Sequence, residues 1–487
     1  MFSDAQTLPD ARSFRRPAIE GGIVFVAITT AVLLGTEPLF AIYLLPALML
    51  VVAVVRFDAF VYTSVFFLPW YPLPTIDLPM RDVFLVLRFV MLAGAIISSY
   101  RDGRPFWKPL WQSNINKLVL LYAMAATVSL FVSPLHLKLD AFRSLSRLFS
   151  YLAVFFALRI WIQRREQIYQ LIRILLISTI VVALFGLYQA LLGDYTRFYL
   201  FLFEAEIPDW SGRVTSFLFH FNALAAYLNM IIPFAIAFMI VPKDRTSRLL
   251  GSTCFCLATA ALYLTGSRGG LLAYFGILAL SAIFLGIRWR PRVVVLLRVG
   301  LVLVVASAIV VLLTPKVPEQ QQINRLQEVD DFTELSRLAL WATAAEMFTL
   351  HPVFGVGYGN YRALYGDYLT DVESDQMDAH NLYLELLAET GILGFALFLL
   401  PVSLVLSRAL ILLRSADWFH VLFALGIGGG LTGMLVHGFV DFFFHVQPQV
   451  GGLFWLLMAL GLVVWEDAKR IHPLQSLAME NQRSVLL

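Results

Sequence analysis

Five side chains from residue 213 onward carry, or can carry, charge in a largely apolar chain, where charge is costly. Arg268 lies in Thr265-Gly266-Ser267-Arg268-Gly269-Gly270, which joins two apolar runs with almost no loop. An arginine costs roughly 2.5–3.5 kcal/mol at mid-bilayer and less towards the surface, so it usually faces a cavity, a partner or an anion. The flanking glycines let a backbone or ligand approach closely, and a tight turn with a snorkelling arginine is the plainer alternative. Arg213 sits in Trp210-Ser211-Gly212-Arg213-Val214-Thr215-Ser216-Phe217, ahead of His220 and Asn222, as an anion ligand or an interfacial anchor. Arg337 follows Ser336, a suitable N-cap for a helix over 336–350. His380 follows Asp378-Ala379, and Asp378 suits the cap of a helix carrying His380 in its first turn. A histidine there can act as a general base or be structural. Asp441, in Val440-Asp441-Phe442-Phe443-Phe444-His445-Val446-Gln447-Pro448, is either a site acid or a structural partner for an arginine.

Two denser stretches accompany these residues. His351-Pro352-Val353-Phe354-Gly355-Val356-Gly357-Tyr358-Gly359-Asn360-Tyr361 stops the 336–350 helix. Its alternating glycines make a tight turn, or a loop whose N–H groups meet a phosphate, with Tyr358 and Asn360 as candidate substrate contacts. In His380-Asn381-Leu382-Tyr383-Leu384-Glu385, Glu385 is a further candidate contact, and Glu389 lies four residues on along the same helix face. Asp330-Asp331 and the Asp375/Asp378 pair are of the kind that binds Mg²⁺ or Mn²⁺, although a solvated acidic loop explains them too. No metal or cofactor is expected.

The elements that must hold these residues are membrane-spanning helices. Of the 487 residues 59% are hydrophobic and 14% charged, against about 25% charged in soluble domains; mean hydropathy is +0.77. That excludes a soluble enzyme, a disordered chain and a disulfide scaffold. Cys254 and Cys256 lie two apart in an apolar run and face different sides of a helix. The net charge of +3 gives no reason to expect nucleic acid. Apolar runs at roughly 21–35, 38–55, 57–70, 82–99, 115–133, 146–161, 168–192, 219–241, 249–265, 270–287, 293–313, 391–413, 418–440 and 449–465 predict an all-α polytopic protein of about 12–14 spans. The run at 21–35 reads as a retained span rather than a cleaved leader. Lys/Arg clusters such as Arg101-Arg104-Lys108, Arg159-Arg164-Arg165 and Lys243-Arg245-Arg248 place both termini in the cytoplasm. Two longer loops then lie outside. The larger, about 314–390, holds 13 Asp/Glu against four Lys/Arg and reads as a small helical subdomain. The divisions are 1–200, N-terminal spans; 201–313, spans with the arginine-bearing outer edge; 314–390, the outer loop; and 391–487, C-terminal spans and tail.

Four stretches in order carry a family resemblance: Arg213 to Asn222, Ser267-Arg268-Gly269-Gly270, His351 to Asn360, and His380-Asn381-Leu382-Tyr383-Leu384-Glu385 running on to Glu389-Thr390-Gly391-Ile392-Leu393-Gly394. Over about residues 205–465 the chain resembles the O-antigen ligase and polymerase superfamily of bacterial inner-membrane proteins. Two departures are His220-Phe221 before Asn222, where the family more often has a proline, and a span number above the family's usual twelve. The resemblance implies a fold like the helical GT-C glycosyltransferases. It also implies metal-independent, inverting transfer of a glycan from undecaprenyl diphosphate, at the periplasmic face, to another glycan or to lipid A-core. In that chemistry Arg268 and Arg337, then Arg213, bind the diphosphate. His380 is the base, Asn381 orients it or bonds a sugar, and Asp441 orients His380 or an arginine. The chain's length leans towards a polymerase. A lipid-linked glycan flippase or polysaccharide transporter is the alternative. It fits less well, because the polar residues gather at one edge and no hydropathy repeat is evident.

Overall fold

The computed structural model describes residues 49, 52–53, 56–69, 81–133, 139–192, 212–242, 244–288, 337–368 and 378–471. The spans expected at 21–35 and 293–313, most of that at 38–55, Ser336 and the acids Asp330, Asp331 and Asp375 lie outside the described residues. Among those described the regular elements are all helical. They are α1 (Phe57–Phe66), α2 (Arg81–Arg101), α3 (Trp107–Gln112), α4 (Asn114–Val132), α5 (Leu139–Trp161), α6 (Arg165–Leu192), α7 (Phe221–Ile240), α8 (Arg245–Leu264), α9 (Arg268–Arg288), α10 (337–350), α11 (Tyr361–Tyr368), α12 (Leu382–Leu412), α13 (Trp418–His437) and α14 (Pro448–Ile471). Eight of these are long and apolar enough to cross a membrane. The protein is therefore an all-α polytopic membrane protein.

Two helices form the centre. Every residue of α7 from Asn222 to Met239 is buried, as is every residue of α14 from Pro448 to Leu462. A helix apolar all round belongs inside a bundle. Small residues let neighbours close on α7. On α13, Gly426 rests on Phe234, Gly429 on Pro233 and Gly430 on the backbone of Met230; on α8, Gly251 rests on the backbone at Ala235 and Met239. The outer helices turn apolar side chains outward, such as Leu120, Met124 and Phe131 of α4 and Tyr263 of α8.

Polar bonds order both ends of the bundle, one set of them at the turn before α14. Buried Arg88 of α2 donates to Ser150 Oγ of α5 at 3.1 Å and to the Pro448 carbonyl at 2.9 Å. Tyr151 Oη of α5 donates to the Phe444 carbonyl at 2.8 Å. These contacts fix the turn 438–447 between α13 and α14.

The helix α12 begins at Leu382, nine residues before the expected start at 391. Glu385 and Glu389 interrupt the hydropathy pattern there, but both are fully buried and hydrogen-bonded. The helix is kinked within its length. Gly391 has φ 61° and ψ −169°, a region open essentially only to glycine.

Candidate functional site

His380 stands just before α12, not in its first turn. The cap is Asn381, whose Oδ1 accepts from the N–H groups of Tyr383 and Leu384 at 3.0 and 3.1 Å. Its Nδ2 donates to the Phe439 carbonyl at 3.0 Å. Asn381 is thus a cap and a clamp, with its amide engaged on both sides. Leu382 N–H bonds the Gly438 carbonyl at 2.7 Å, and Glu385 Oε2 accepts from Ala379 N–H at 2.9 Å. These bonds hold His380 in the left-handed region at φ 47°, a conformation unusual for a non-glycine residue.

So held, His380 points its Nδ1 at Asp441 Oδ1, 3.1 Å away. Asp441 is buried; its Oδ1 also accepts from Phe442 N–H at 2.8 Å, and its Oδ2 has no partner among the described residues. Burial opposes the imidazolium of His380, but the hydrogen bond and charge of Asp441 outweigh it and raise the pKa. Burial would raise Asp441, yet His380, His220 and His437 hold its carboxyl down to about 2.

The arginine stretches reach the same place. α8 ends, Thr265 caps it, and Gly266 turns at φ 61°. Ser267 then caps α9, its Oγ accepting from Gly270 N–H at 3.1 Å, so Arg268 is the first residue of α9. Gly269 lies against Val440 and the His437 ring, and Gly270 against Ala225 of α7; a Cβ at either position would overlap them. Arg213 packs beside Gly266 and stacks its guanidinium over Phe221, 4.5 Å from the ring centre. Arg337, at the start of the described part of α10, lies near enough for its charge to act on His380 and His437. The structure therefore brings Arg213, Arg337, His380 and Asp441 together, with Arg268 at the start of α9 beside them. The N-termini of α7, α9 and α12 meet there too, and their dipole ends favour an anion.

Two histidines complete the group. His220 caps α7, its Nδ1 accepting from Asn222 N–H at 3.2 Å. Burial first, then the charges of His380 and Arg213, lower its pKa against the pull of Asp441. His437 ends α13 four residues before Asp441. From the sequence His220 stood out only as a departure before Asn222 and His437 not at all; the spacing of His437 to Asp441 was the available signal.

The glycine-rich turn acts differently from a phosphate loop. Val356 and Gly357 N–H bond the Ala388 and Glu389 carbonyls at 2.8 and 3.0 Å. Gly355 N–H bonds the His351 carbonyl, Asn360 N–H that of Gly357, and Tyr361 N–H bonds Glu389 Oε1. Side chains at Gly355 and Gly391 would overlap the opposing backbone. With those N–H groups engaged, the turn clamps α12 at its kink. Tyr358 and Asn360 are buried, Tyr358 edge-on to His445 and Asn360 Nδ2 bonded to the Val356 carbonyl. Glu385 is buried and holds the backbone ahead of His380. All three side chains are buried.

One group among the described residues could hold a metal by ligand type: Glu385, Glu389 and His445, with ligand atoms within 4.8 Å of one another. Glu389 Oε2 and His445 Nε2 pair at 2.6 Å, and Glu385 Oε2 takes the Ala379 N–H. All three are enclosed, so the group reads as an internal tie.

The arginines and helix N-termini beside the histidine–carboxylate pair make a setting that favours an anion. Residues 253–399 match the family model Wzy_C, O-Antigen ligase. Over those residues the chain is similar to the O-antigen ligase family, which bears out its resemblance to the O-antigen ligase and polymerase superfamily. That supports a glycan-transferring membrane enzyme of the ligase or polymerase type. No curated protein matches the chain. The matched segment holds Arg268, Arg337, the glycine-rich turn and His380; Arg213, His220, His437 and Asp441 lie outside it and are added by the fold.

Proposed function

We propose that the protein transfers a glycan from undecaprenyl diphosphate to an acceptor hydroxyl, with inversion and without a metal. The observation that carries this is the His380–Asp441 pair set among Arg213, Arg268 and Arg337. The acceptor oxygen attacks C1 of the donor sugar from the face opposite the diphosphate. The C1–O bond breaks and its electron pair leaves with the diphosphate. His380 Nε2 takes the hydroxyl proton, because Nδ1–H is directed at Asp441, and the carboxylate stabilises the imidazolium that forms. The arginines and helix N-termini neutralise the charge that develops on the leaving oxygen. The apolar helices around the site accommodate the lipid tail. By the Lys/Arg distribution this end faces the periplasm of the inner membrane, with both chain termini in the cytoplasm.

The acceptor is another lipid-linked glycan for a polymerase or lipid A-core for a ligase. Purified protein offered a lipid-diphosphate glycan and both acceptors together would separate them. The anomeric configuration of the product, read by NMR, tests inversion. Retention of configuration would contradict the single displacement.

A further inference from the structure

At the far end of α14 from His380 the bundle opens into a cavity of about 350 Å³. Residues 448 and 466 are roughly 27 Å apart along a helix rising 1.5 Å per residue, so this is a second location. Six cations line it: Arg104, Lys108, Arg159, Arg164, Arg165 and Arg470, against the two carboxylates Glu466 and Asp467.

The carboxylates are already engaged. Arg159 holds Glu466 with two hydrogen bonds, at 2.9 and 2.5 Å. Asp467 is shared by Arg165 at 2.7 Å and His420 at 2.9 Å. Arg104 is paired with Asp102 at 2.7 Å. Lys108, Arg164 and Arg470 have no ion pair among the described residues. Arg159 is 2% exposed, and its Nε–H has no partner among them either. Cations that only set membrane orientation need no cavity, and a buried guanidinium with an unused donor needs an acceptor.

The rim shows where the cavity lies. Trp107 and Trp111, one turn apart on the short α3 that carries Lys108, are 55% and 61% exposed, and Tyr100 close by is 80% exposed. Outward-facing tryptophan and tyrosine sit at headgroup level. Basic pockets between spanning helices at this level suit phosphate headgroups.

We propose that this cavity binds the phosphate of an anionic membrane lipid. The test is titration of phosphatidylglycerol, phosphatidylcholine or inorganic pyrophosphate into the full chain in detergent, for wild type and for Lys108→Gln/Arg164→Gln/Arg470→Gln. Wild type is expected to bind phosphatidylglycerol well above phosphatidylcholine. Each cation removed weakens that binding about fivefold, so the triple variant loses on the order of a hundredfold. Pyrophosphate is expected to displace the lipid poorly. Equal binding of both lipids, or an unchanged triple variant, would overturn the site. Pyrophosphate binding tighter than lipid, and lost in the variant, would overturn the lipid assignment in favour of a soluble phosphate. If the triple variant melts early, Arg164→Gln alone, exposed and without an ion pair, gives the same reading at about fivefold.

Discussion

His380 Nδ1 and Asp441 Oδ1 lie 3.1 Å apart across 61 residues of sequence, with the carboxylate enclosed and the imidazole 31% exposed. That asymmetry separates their roles. The enclosed acid stays charged and orients, while the half-open ring keeps Nε2 for a substrate.

The pair sets a pH dependence. Asp441 raises the pKa of His380 against the effect of burial, and a base must be unprotonated to act. Transfer should therefore rise with pH through a pKa above 6.5. Asp441→Asn removes the carboxylate charge and leaves the burial, so the limb should move to lower pH and its plateau fall by roughly a hundredfold. Profiles of kcat/KM between about pH 5 and 9 check both effects. A limb that stays in place in the variant would separate the two residues.

The arginines should resist conservative exchange. Arg268→Ala or Arg337→Ala should each lower kcat by roughly 10²–10³, as expected for removing one donor to a developing anion. Lysine should restore little, because it offers a point charge in place of a planar two-point fork. Steady-state kinetics with the Ala and Lys variants side by side measure this, and full rescue by lysine would count against bidentate diphosphate binding.

Glu385 positions His380 by accepting the Ala379 N–H. Glu385→Gln keeps an acceptor oxygen and should retain most activity. Glu385→Leu leaves that N–H unsatisfied, at about 1–3 kcal/mol, and should lose activity together with thermal stability. If Gln fails as badly as Leu, the carboxylate charge itself is required.

The kink at Gly391 should tolerate no side chain. Gly391→Ala places a Cβ on the Val353 backbone, in a conformation that by itself costs about 1–3 kcal/mol. Its melting temperature should fall and its activity with it. Gly276→Ala on α9 meets nothing within 4 Å and should be neutral or slightly stabilising. Equal melting of the two variants would mean the clamp is looser than the structure shows.

Much of this was legible in the residues. In Ser267-Arg268-Gly269-Gly270 the glycines signalled close approaches, and both are found, Gly269 against Val440 and His437 and Gly270 against Ala225. The apolar runs from 57 onward fall on helices wherever those are described. The glycine turn left two readings open because positive-φ glycines serve a phosphate loop and a tight helix contact equally, and only the destination of each N–H separates the two. Glu385 was expected as a substrate contact, and its burial with Glu389 was not legible, because nothing local shows that Ala379, Tyr361 and His445 meet them. His437 was hidden at the end of an apolar helix, where a histidine is ordinarily a packed one, and its neighbours come from α9 and the 438–447 turn.

The most direct test of the central claim is the single-turnover rate of glycan transfer by purified His380→Ala beside wild type, with a lipid-diphosphate donor, in EDTA, and with thermal unfolding recorded for both. Wild type should work unchanged in EDTA, and the variant should melt as wild type does but transfer at least about a hundredfold more slowly. A variant within a factor of about two of wild type, or a wild type stopped by EDTA and revived by Mg²⁺, would contradict the claim.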